Sequence, residues 1–134
     1  MLTRKGAKRE PRLAVVERGL VIKQPWVGMI ADGKKIWEMR TRPTRLRGWI
    51  GLIEKGAGQV VGVAYLKASP PPVRGRKSFS GKYVFPWIMS RAIRLPKPVA
   101  YKHPHGAVTW VKFSDGVSRA LARHIRRNYP EELS

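Results

Sequence analysis

Short runs of apolar residues, separated by glycine-rich or basic turns, dominate the chain and are typical of β-strands. We predict a first strand at Leu20–Ile22. Two stronger runs, Gly48–Glu54 and Gln59–Lys67, flank the turn Lys55–Gly58, and this arrangement predicts a β-hairpin. The pattern therefore places much of a sheet in the first half of the chain.

Polar and apolar residues alternate over Lys34–Arg40, which we also predict to be a strand. Successive side chains of a strand point to opposite faces, so Glu38 and Arg40 share one side and can form an ion pair. Ile36 lies on that side too, whereas Lys35, Trp37 and Met39 lie on the other.

A first helix is predicted to start at Pro25, because proline is tolerated at the first helical position. It runs to about Asp32, and Gly33 can end it in a left-handed conformation. The helical spacing of Trp26, Met29 and Ile30 indicates that these residues face the core.

The C-terminal helix is predicted to begin at Ser114 or Asp115, either of which can cap it, and to end before Pro130. Its apolar stripe is Val117, Leu121 and Ile125. Its other side carries Arg119, Arg123, Arg126 and Arg127. The helix is therefore either an ordinary solvated amphipathic helix or one that faces phosphates.

The remaining segments are less regular. Lys67–Lys82 is a long loop of proline, glycine, serine and basic residues, and Tyr83–Ile93 is either a strand or a short helical turn. Leu95–Pro98 is extended, and Ala107–Phe113 is a final strand. Strands with few helices and no regular βαβ alternation predict an α+β fold with a strongly curved or barrel-like sheet.

Charge narrows the choice of partner. The chain has 28 Lys and Arg against 8 Asp and Glu, a formal net charge of +20. Phosphates offset such an excess and release counterions, so we expect a nucleic-acid partner. The alternatives are an anionic membrane surface and a merely soluble basic protein. We expect residues 1–14 to form a basic, disordered arm and residues 15–130 to form a single domain.

Composition also excludes several kinds of site. The chain has no cysteine, which excludes disulfides, zinc ribbons and thiol nucleophiles. The few carboxylates are scattered, so we expect no metal or other cofactor and no two-metal nuclease chemistry. The basic start leads into no apolar segment, and the longest apolar run, Val60–Leu66, is too short to span a bilayer. We expect a cytoplasmic monomer with no membrane contact.

Four motifs carry a resemblance to a known family. They are the opening Leu20–Trp26 with its Q-P-W sequence, the G-x-K-x-x-E-x-R signature at Gly33–Arg40, Arg47–Ile50, and Val60–Ala64. Together they resemble the ASCH domain, named for activating signal cointegrator homology and related to PUA-like RNA-binding domains. Pro98–Val111 also resembles the closing strand of that family.

The resemblance implies a PUA-like β-barrel or pseudobarrel with flanking helices, and a cleft between the barrel and the first helix. It favours RNA over DNA as the partner. Some members of the family are described as ribonucleases, and one small subfamily hydrolyses N4-acetylcytidine with a lysine and a threonine of G-x-K-T-x-T-x-R. Lys35 matches that lysine, whereas Glu38 stands where that subfamily has threonine. The pattern is thus closer to the cointegrator-type branch.

Candidate residues follow from the signature and the charge. Lys35 and Glu38 are the catalytic candidates, because a partly buried lysine can act as a base or a charge clamp. Nucleic-acid-binding candidates are Lys23, Gln24, Trp26, Lys34, Lys35, Arg40, Arg42, Arg45, Arg47, Arg74, Arg76, Lys77, His103, His105, Arg119, Arg123, Arg126 and Arg127. Exposed tryptophans could stack bases, although we expect most of them in the core. A DNA-binding regulator and a metal-independent hydrolase remain alternative functions.

Overall fold

The computed structural model describes residues 14–73 and 84–132. Within these ranges the chain forms six strands and two helices. They are β1 (Arg18–Ile22), α1 (Trp26–Ala31), β2 (Trp37–Arg40), β3 (Gly48–Glu54), β4 (Gln59–Ala68), β5 (Phe85–Ala100), β6 (Trp110–Lys112) and α2 (Asp115–Asn128). The N-terminal arm before Ala14 and part of the long basic loop, with Arg74, Arg76, Lys77 and Tyr83, lie outside the described residues.

The strands form one sheet with the order β2-β5-β4-β3-β1-β6. β1 and β3 are parallel, and the other described neighbours are antiparallel. The sheet curls into a half-barrel, which confirms the predicted α+β, PUA-like fold.

The hairpin of β3 and β4 is confirmed, with Gly48 opposite Leu66 and Glu54 opposite Gln59. Its turn is closed by the N–H of Ala57, which donates to the carbonyl of Glu54 at 3.1 Å. Gly56 has a φ of 84°, a left-handed conformation that favours glycine. The turn thus lies at the residues predicted for it, and it sets the register of the hairpin.

The core lies on both faces of the sheet. One cluster, the α1-side core, includes Ile50 of β3 and Ile30 of α1. The other, the α2-side core, includes Trp49 of β3 and Ile125 of α2. Because adjacent residues of β3 point to opposite faces, the two helices cover opposite sides of the sheet.

Close packing fixes α1 on the sheet. A Cβ added to Gly62 of β4 would lie 2.9 Å from the Cβ of Ala31, so only glycine permits this approach. At the other edge of the helix, Arg94 of β5 donates to the carboxylate of Asp32 at 3.0 Å and to the carbonyl of Gly28 at 3.1 Å. The guanidinium holds the pKa of Asp32 below its usual value. These contacts orient the start of the segment that follows α1.

Several predicted boundaries were wrong. α1 begins at Trp26, with Pro25 as its N-cap, and the predicted strand Lys34–Arg40 is regular only over β2. The two pieces predicted at Tyr83–Ile93 and Leu95–Pro98 form a single strand, β5, over the described residues. The final strand is confined to β6.

Three prolines explain why β5 was not predicted as a single strand. Its interior holds Pro86, Pro96 and Pro98, and proline within a run argues against a central strand. In the described structure β2 pairs with Phe85–Ile88, and a further bond joins the N–H of Met89 to the carbonyl of Ile36, so this side of β5 has no described ladder to interrupt at positions 96 and 98. The prolines at positions 96 and 98 are therefore tolerated.

Candidate nucleic-acid interface

The signature begins where α1 turns into the segment leading to β2. Gly33 has a φ of 76° and ends the helix as predicted. The carbonyl of Met29 then accepts two hydrogen bonds, from the N–H of Lys34 at 2.9 Å and from that of Lys35 at 3.2 Å. The carbonyl of Ile36 accepts from the N–H of Met89 at 2.7 Å and fixes the segment to β5. Main-chain bonds therefore set the direction of the signature.

An ion-pair network forms at the centre of the signature. Glu38 is buried, and its carboxylate accepts from Arg40 at 3.0 Å. The ammonium of Lys35 lies 3.9 Å from the other oxygen of the same carboxylate. The predicted pairing of Glu38 with Arg40 is confirmed. A buried carboxylate needs such partners, because an uncompensated charge away from water is costly.

Lys35 has two further contacts that restrict its side chain. Its ammonium donates to the carbonyl of Trp37 and lies 6.0 Å from the centroid of the Trp26 ring. Burial lowers the pKa of Lys35, and the carboxylate of Glu38 opposes that shift. The side chain is thus a held, partly desolvated cation, able to clamp an anion or to release a proton more readily than an ordinary lysine.

Aromatic rings continue the cluster on both sides. Trp26 was predicted to face the core, but 47% of its surface is exposed. On the other side, the guanidinium of Arg40 lies 5.4 Å from the Trp87 ring, which stacks on Trp110 at 5.8 Å with an angle of 14° between the rings. Trp26, Lys35, Glu38, Arg40 and Trp87 form what we call the signature cluster.

The exposure of Trp26 has a local cause. α1 has only six residues, so the spacing of its apolar positions cannot fix which face is buried. Val27 and Ile30 are completely buried in the α1-side core, whereas Trp26 at the first position of the helix is exposed.

The basic segment 41–47 leads away from the signature cluster. The carbonyl of Arg42 accepts a hydrogen bond from the indole N–H of Trp87 at 2.8 Å. The N–H of Thr44 donates to the hydroxyl of Ser69 at 3.0 Å. A guanidinium nitrogen of Arg47 donates to the carbonyls of Thr44 and Leu46 at 2.8 and 2.7 Å. Arg42, Arg45 and Arg47 are all exposed. The segment is therefore an ordered row of arginines.

The arginines of α2 lie on the opposite side of the sheet. Leu121 and Ile125 bury the predicted apolar stripe in the α2-side core, and Ser114 caps the helix as expected, accepting from the N–H of Val117 at 3.4 Å. Burial, together with neighbouring arginines, lowers the pKa of His124. Of the predicted cations, Arg119, Arg123 and Arg127 are exposed and Arg126 is half-buried. The candidate cations are thus divided between two faces.

The remaining candidates are placed as follows. Lys23, Gln24 and Lys34 are exposed near the ends of α1. His103 uses both ring nitrogens within its own turn, at 2.7 Å from the hydroxyl of Tyr101 and 2.8 Å from the carbonyl of Ala107, and His105 is exposed in that turn. In the described ranges no group of three or more His, Asp or Glu residues could hold a metal ion.

Sequence reasoning missed a second cluster of charge and aromatic rings. Arg91 of β5 has a φ of 53° and forms ion pairs with Glu131 at 3.0 Å and with Glu132 at 2.8 Å. Its guanidinium lies 4.4, 4.9 and 5.7 Å from the ring centroids of Tyr129, Trp49 and Tyr65. We call these six residues the Arg91 cluster. No local pattern could reveal it, because its members come from β3, β4, β5 and the C-terminal segment.

The family model of the ASCH domain matches residues 20–90, which is more than half of the chain and includes the whole signature cluster. The chain belongs to the ASCH domain family. No curated protein matches it. Membership confirms the resemblance carried by the Gly33–Arg40 signature and associates this ASCH domain with nucleic acids at the level of the family. None of the helices in the described ranges has the length and apolar content needed to cross a membrane.

Proposed function

We propose that this ASCH domain binds RNA and holds one unpaired nucleotide at the signature cluster. The observation that carries the proposal is the exposed Trp26 ring beside the ammonium of Lys35, which in turn adjoins the Glu38–Arg40 pair. An exposed ring offers a stacking surface to an unpaired base, and the adjacent cations can pair with its phosphate.

Charge balance supports an anionic ligand at this place. The signature cluster brings two cations, Lys35 and Arg40, to one carboxylate, Glu38, so it retains a positive charge after internal pairing. The formal charge of +20 on the whole chain adds a long-range attraction to phosphates. The exposed arginines of segment 41–47 and of α2 supply this general attraction, which carries no base identity.

RNA is favoured over duplex DNA because the stacking surface suits unpaired bases, which RNA loops and ends present. Competition between single-stranded RNA, single-stranded DNA and duplex DNA at matched salt tests this choice. We expect single-stranded RNA to compete best. A clear preference for duplex DNA would instead support a DNA-binding regulator.

The direct test measures the affinity of a labelled single-stranded RNA by fluorescence anisotropy at several salt concentrations. We expect a steep loss of affinity with salt, and a loss of about tenfold or more for Trp26→Ala, since base stacking contributes about 1–3 kcal/mol. Trp37→Ala is the matched control, because Trp37 is also exposed but has no cation beside its ring among the described residues. A flat salt response, or equal losses for both variants, would contradict the proposal.

A second candidate function is metal-independent hydrolysis of RNA or of N4-acetylcytidine, with Lys35 as the base. The observation that favours it is the burial that lowers the pKa of Lys35. Incubation of both substrates in the presence of a chelator should then yield products, and Lys35→Met should abolish them. Equal turnover by the variant would exclude Lys35 as the base, and absence of products from the unmodified protein would leave binding as the function.

A further inference from the structure

A cavity of about 490 Å³ lies apart from the signature cluster, where β1 and β3 begin. Glu17, Arg18, Arg47, Trp49 and Tyr65 line it, together with Glu132 from the C-terminal segment. Its volume falls within the range of pockets that hold small ligands. Neither the family signature nor the proposed function accounts for it.

Among the residues that the structure describes, the charges around the cavity leave Arg47 as a cation for a ligand. Glu17 lies 3.7 Å from Arg18, and Glu132 is paired with Arg91. Arg47 donates only to the main-chain carbonyls of Thr44 and Leu46, and among the described residues it has no carboxylate partner. An anionic group that enters the cavity would therefore find its counterion in Arg47.

Aromatic residues supply a second kind of contact. Trp49 and Tyr65 meet edge to face with their ring centroids 5.5 Å apart. The indole nitrogen of Trp49 is buried and has no hydrogen-bond acceptor among the residues that the structure describes. Because that nitrogen has almost no accessible surface, a ligand in the cavity contacts Trp49 and Tyr65 through their rings and not through the indole N–H.

We propose that this cavity binds a nucleoside monophosphate unit, with the phosphate at Arg47 and the base against Trp49 and Tyr65. The combination of a cation without a carboxylate partner and aromatic walls matches two parts of a nucleotide, its charge and its planar ring. A bare phosphate would use only the first of these.

The cavity is connected to the signature cluster through the chain itself. Segment 41–47 begins at the indole of Trp87, which bonds to the carbonyl of Arg42, and ends at the cavity with Arg47. Seven residues span at most about 25 Å, a distance that a few nucleotides can cover. Resting on the proposed function, we infer that one RNA strand follows the arginines of this segment and places a second nucleotide in the cavity.

The test uses adenosine and cytidine monophosphate as probes, with calorimetry for affinity and two-dimensional NMR of the tryptophan indole N–H groups for location. We expect the resonance of Trp49 to shift on binding, and a shift of Trp26 in addition would report binding at the signature cluster. Adenosine and inorganic phosphate, tested separately, should each bind at least tenfold more weakly than adenosine monophosphate. Equal binding of phosphate alone, or a shift at Trp26 without one at Trp49, would overturn the assignment.

Arg47→Gln is the decisive variant, because Arg47 is exposed and its replacement should not disturb folding. We expect it to weaken mononucleotide binding at least tenfold. Lys55→Gln is the matched control: it removes the same charge at the other end of β3, where Lys55 is exposed and does not line the cavity. Equal losses of mononucleotide affinity in the two variants would mean that only net charge matters, and they would overturn the proposal.

Failure of this inference and failure of the proposed function give different results. If the protein binds single-stranded RNA but no mononucleotide, the cavity assignment fails and the signature cluster stands. If it binds mononucleotides with the Arg47 dependence but no RNA, the cavity is a nucleotide site and the proposed RNA-binding function fails.

Discussion

The signature cluster and the Arg91 cluster both combine basic, acidic and aromatic residues, but their charge balance is opposite. At the signature cluster two cations share one buried carboxylate, Glu38. In the Arg91 cluster one cation meets two carboxylates, Glu131 and Glu132, and is surrounded by three aromatic rings. The first arrangement keeps positive charge for a ligand, whereas the second consumes its cation internally and fastens the C-terminal segment to the sheet.

The difference shows that an arginine beside a tryptophan is not by itself evidence of a nucleic-acid site. Arg40 lies 5.4 Å from Trp87 and Arg91 lies 4.9 Å from Trp49, so the ring contacts alone do not separate them. What separates them is the number of carboxylates and the exposure of a neighbouring ring, which Trp26 provides at the signature cluster.

Among the substitutions that test the difference between the two clusters, we expect Arg91→Leu to have the largest effect. The change removes the ion pair between Arg91 and Glu132, whose side chain is 3% exposed, and breaking a buried ion pair costs about 3–5 kcal/mol. Urea denaturation should show this loss, and the folded fraction should retain its RNA affinity. Glu131→Gln is the control, since that side chain is 65% exposed and should change stability by less than about 1 kcal/mol.

Arg40→Gln should weaken RNA binding. Removing one of the two cations neutralises the signature cluster, and we expect RNA affinity to fall by about tenfold, equivalent to about 1.4 kcal/mol. Anisotropy titration measures the loss, with Lys67→Gln, a charge change at an exposed position outside the cluster, as the matched variant. Similar affinities for the two variants would show that only net charge matters.

A smaller and purely electrostatic effect is expected from α2. Replacing Arg119, Arg123 and Arg127 by glutamine should lower the slope of log affinity against log salt by about 2, since each phosphate contact to a single strand contributes about 0.7. The matched triple variant replaces the exposed Lys97, Lys102 and Lys112. If both triples change the slope equally, α2 is not a preferred phosphate-binding face.

The smallest effect concerns pH and Lys35. Burial lowers the pKa of Lys35, so the protonated form is less favourable in the folded protein than in the unfolded chain. This penalty on stability is present at neutral pH and disappears as the pH rises toward the ordinary lysine value of 10.5. Over the same interval the cluster loses a positive charge, and RNA affinity should fall several-fold.

An alkali-resistant 2′-O-methyl oligonucleotide allows this measurement between pH 7 and pH 10. Lys35→Met should bind the oligonucleotide more weakly at pH 7. Its affinity should also lack the part of the decline with pH that begins below the ordinary lysine pKa. Identical pH profiles for the variant and the unmodified protein would mean that Lys35 does not contact the ligand.

The sequence predicted those features that depend on neighbours within a few residues. Alternation along the chain was enough to pair Glu38 with Arg40, and the glycine turn at position 56 fixed the hairpin of β3 and β4. The same holds for Ser114, whose cap bonds a residue three positions away. Lys35, Glu38 and Arg40 were singled out from the motif, whereas the place of Trp87 beside them was not predicted, and the chemistry of the cluster remains a proposal.

Features that depend on distant partners could not be predicted. Arg91 meets carboxylates 40 and 41 positions further along the chain, and no local pattern points to them. The division of the arginines between two faces required knowing which helix covers which side of the sheet. The exposure of Trp26 depended on how a six-residue helix settles on Gly62, which is a packing outcome rather than a periodicity.

The two hydrogen bonds that the carbonyl of Met29 accepts have a consequence for how such domains can diversify. Because the main chain of Lys34 and Lys35 directs the signature, the side chains that follow can be exchanged without rebuilding the frame that presents them. A protein engineer could therefore exchange the exposed Ile36 and Trp37 and keep the buried Glu38 with its ion pairs constant.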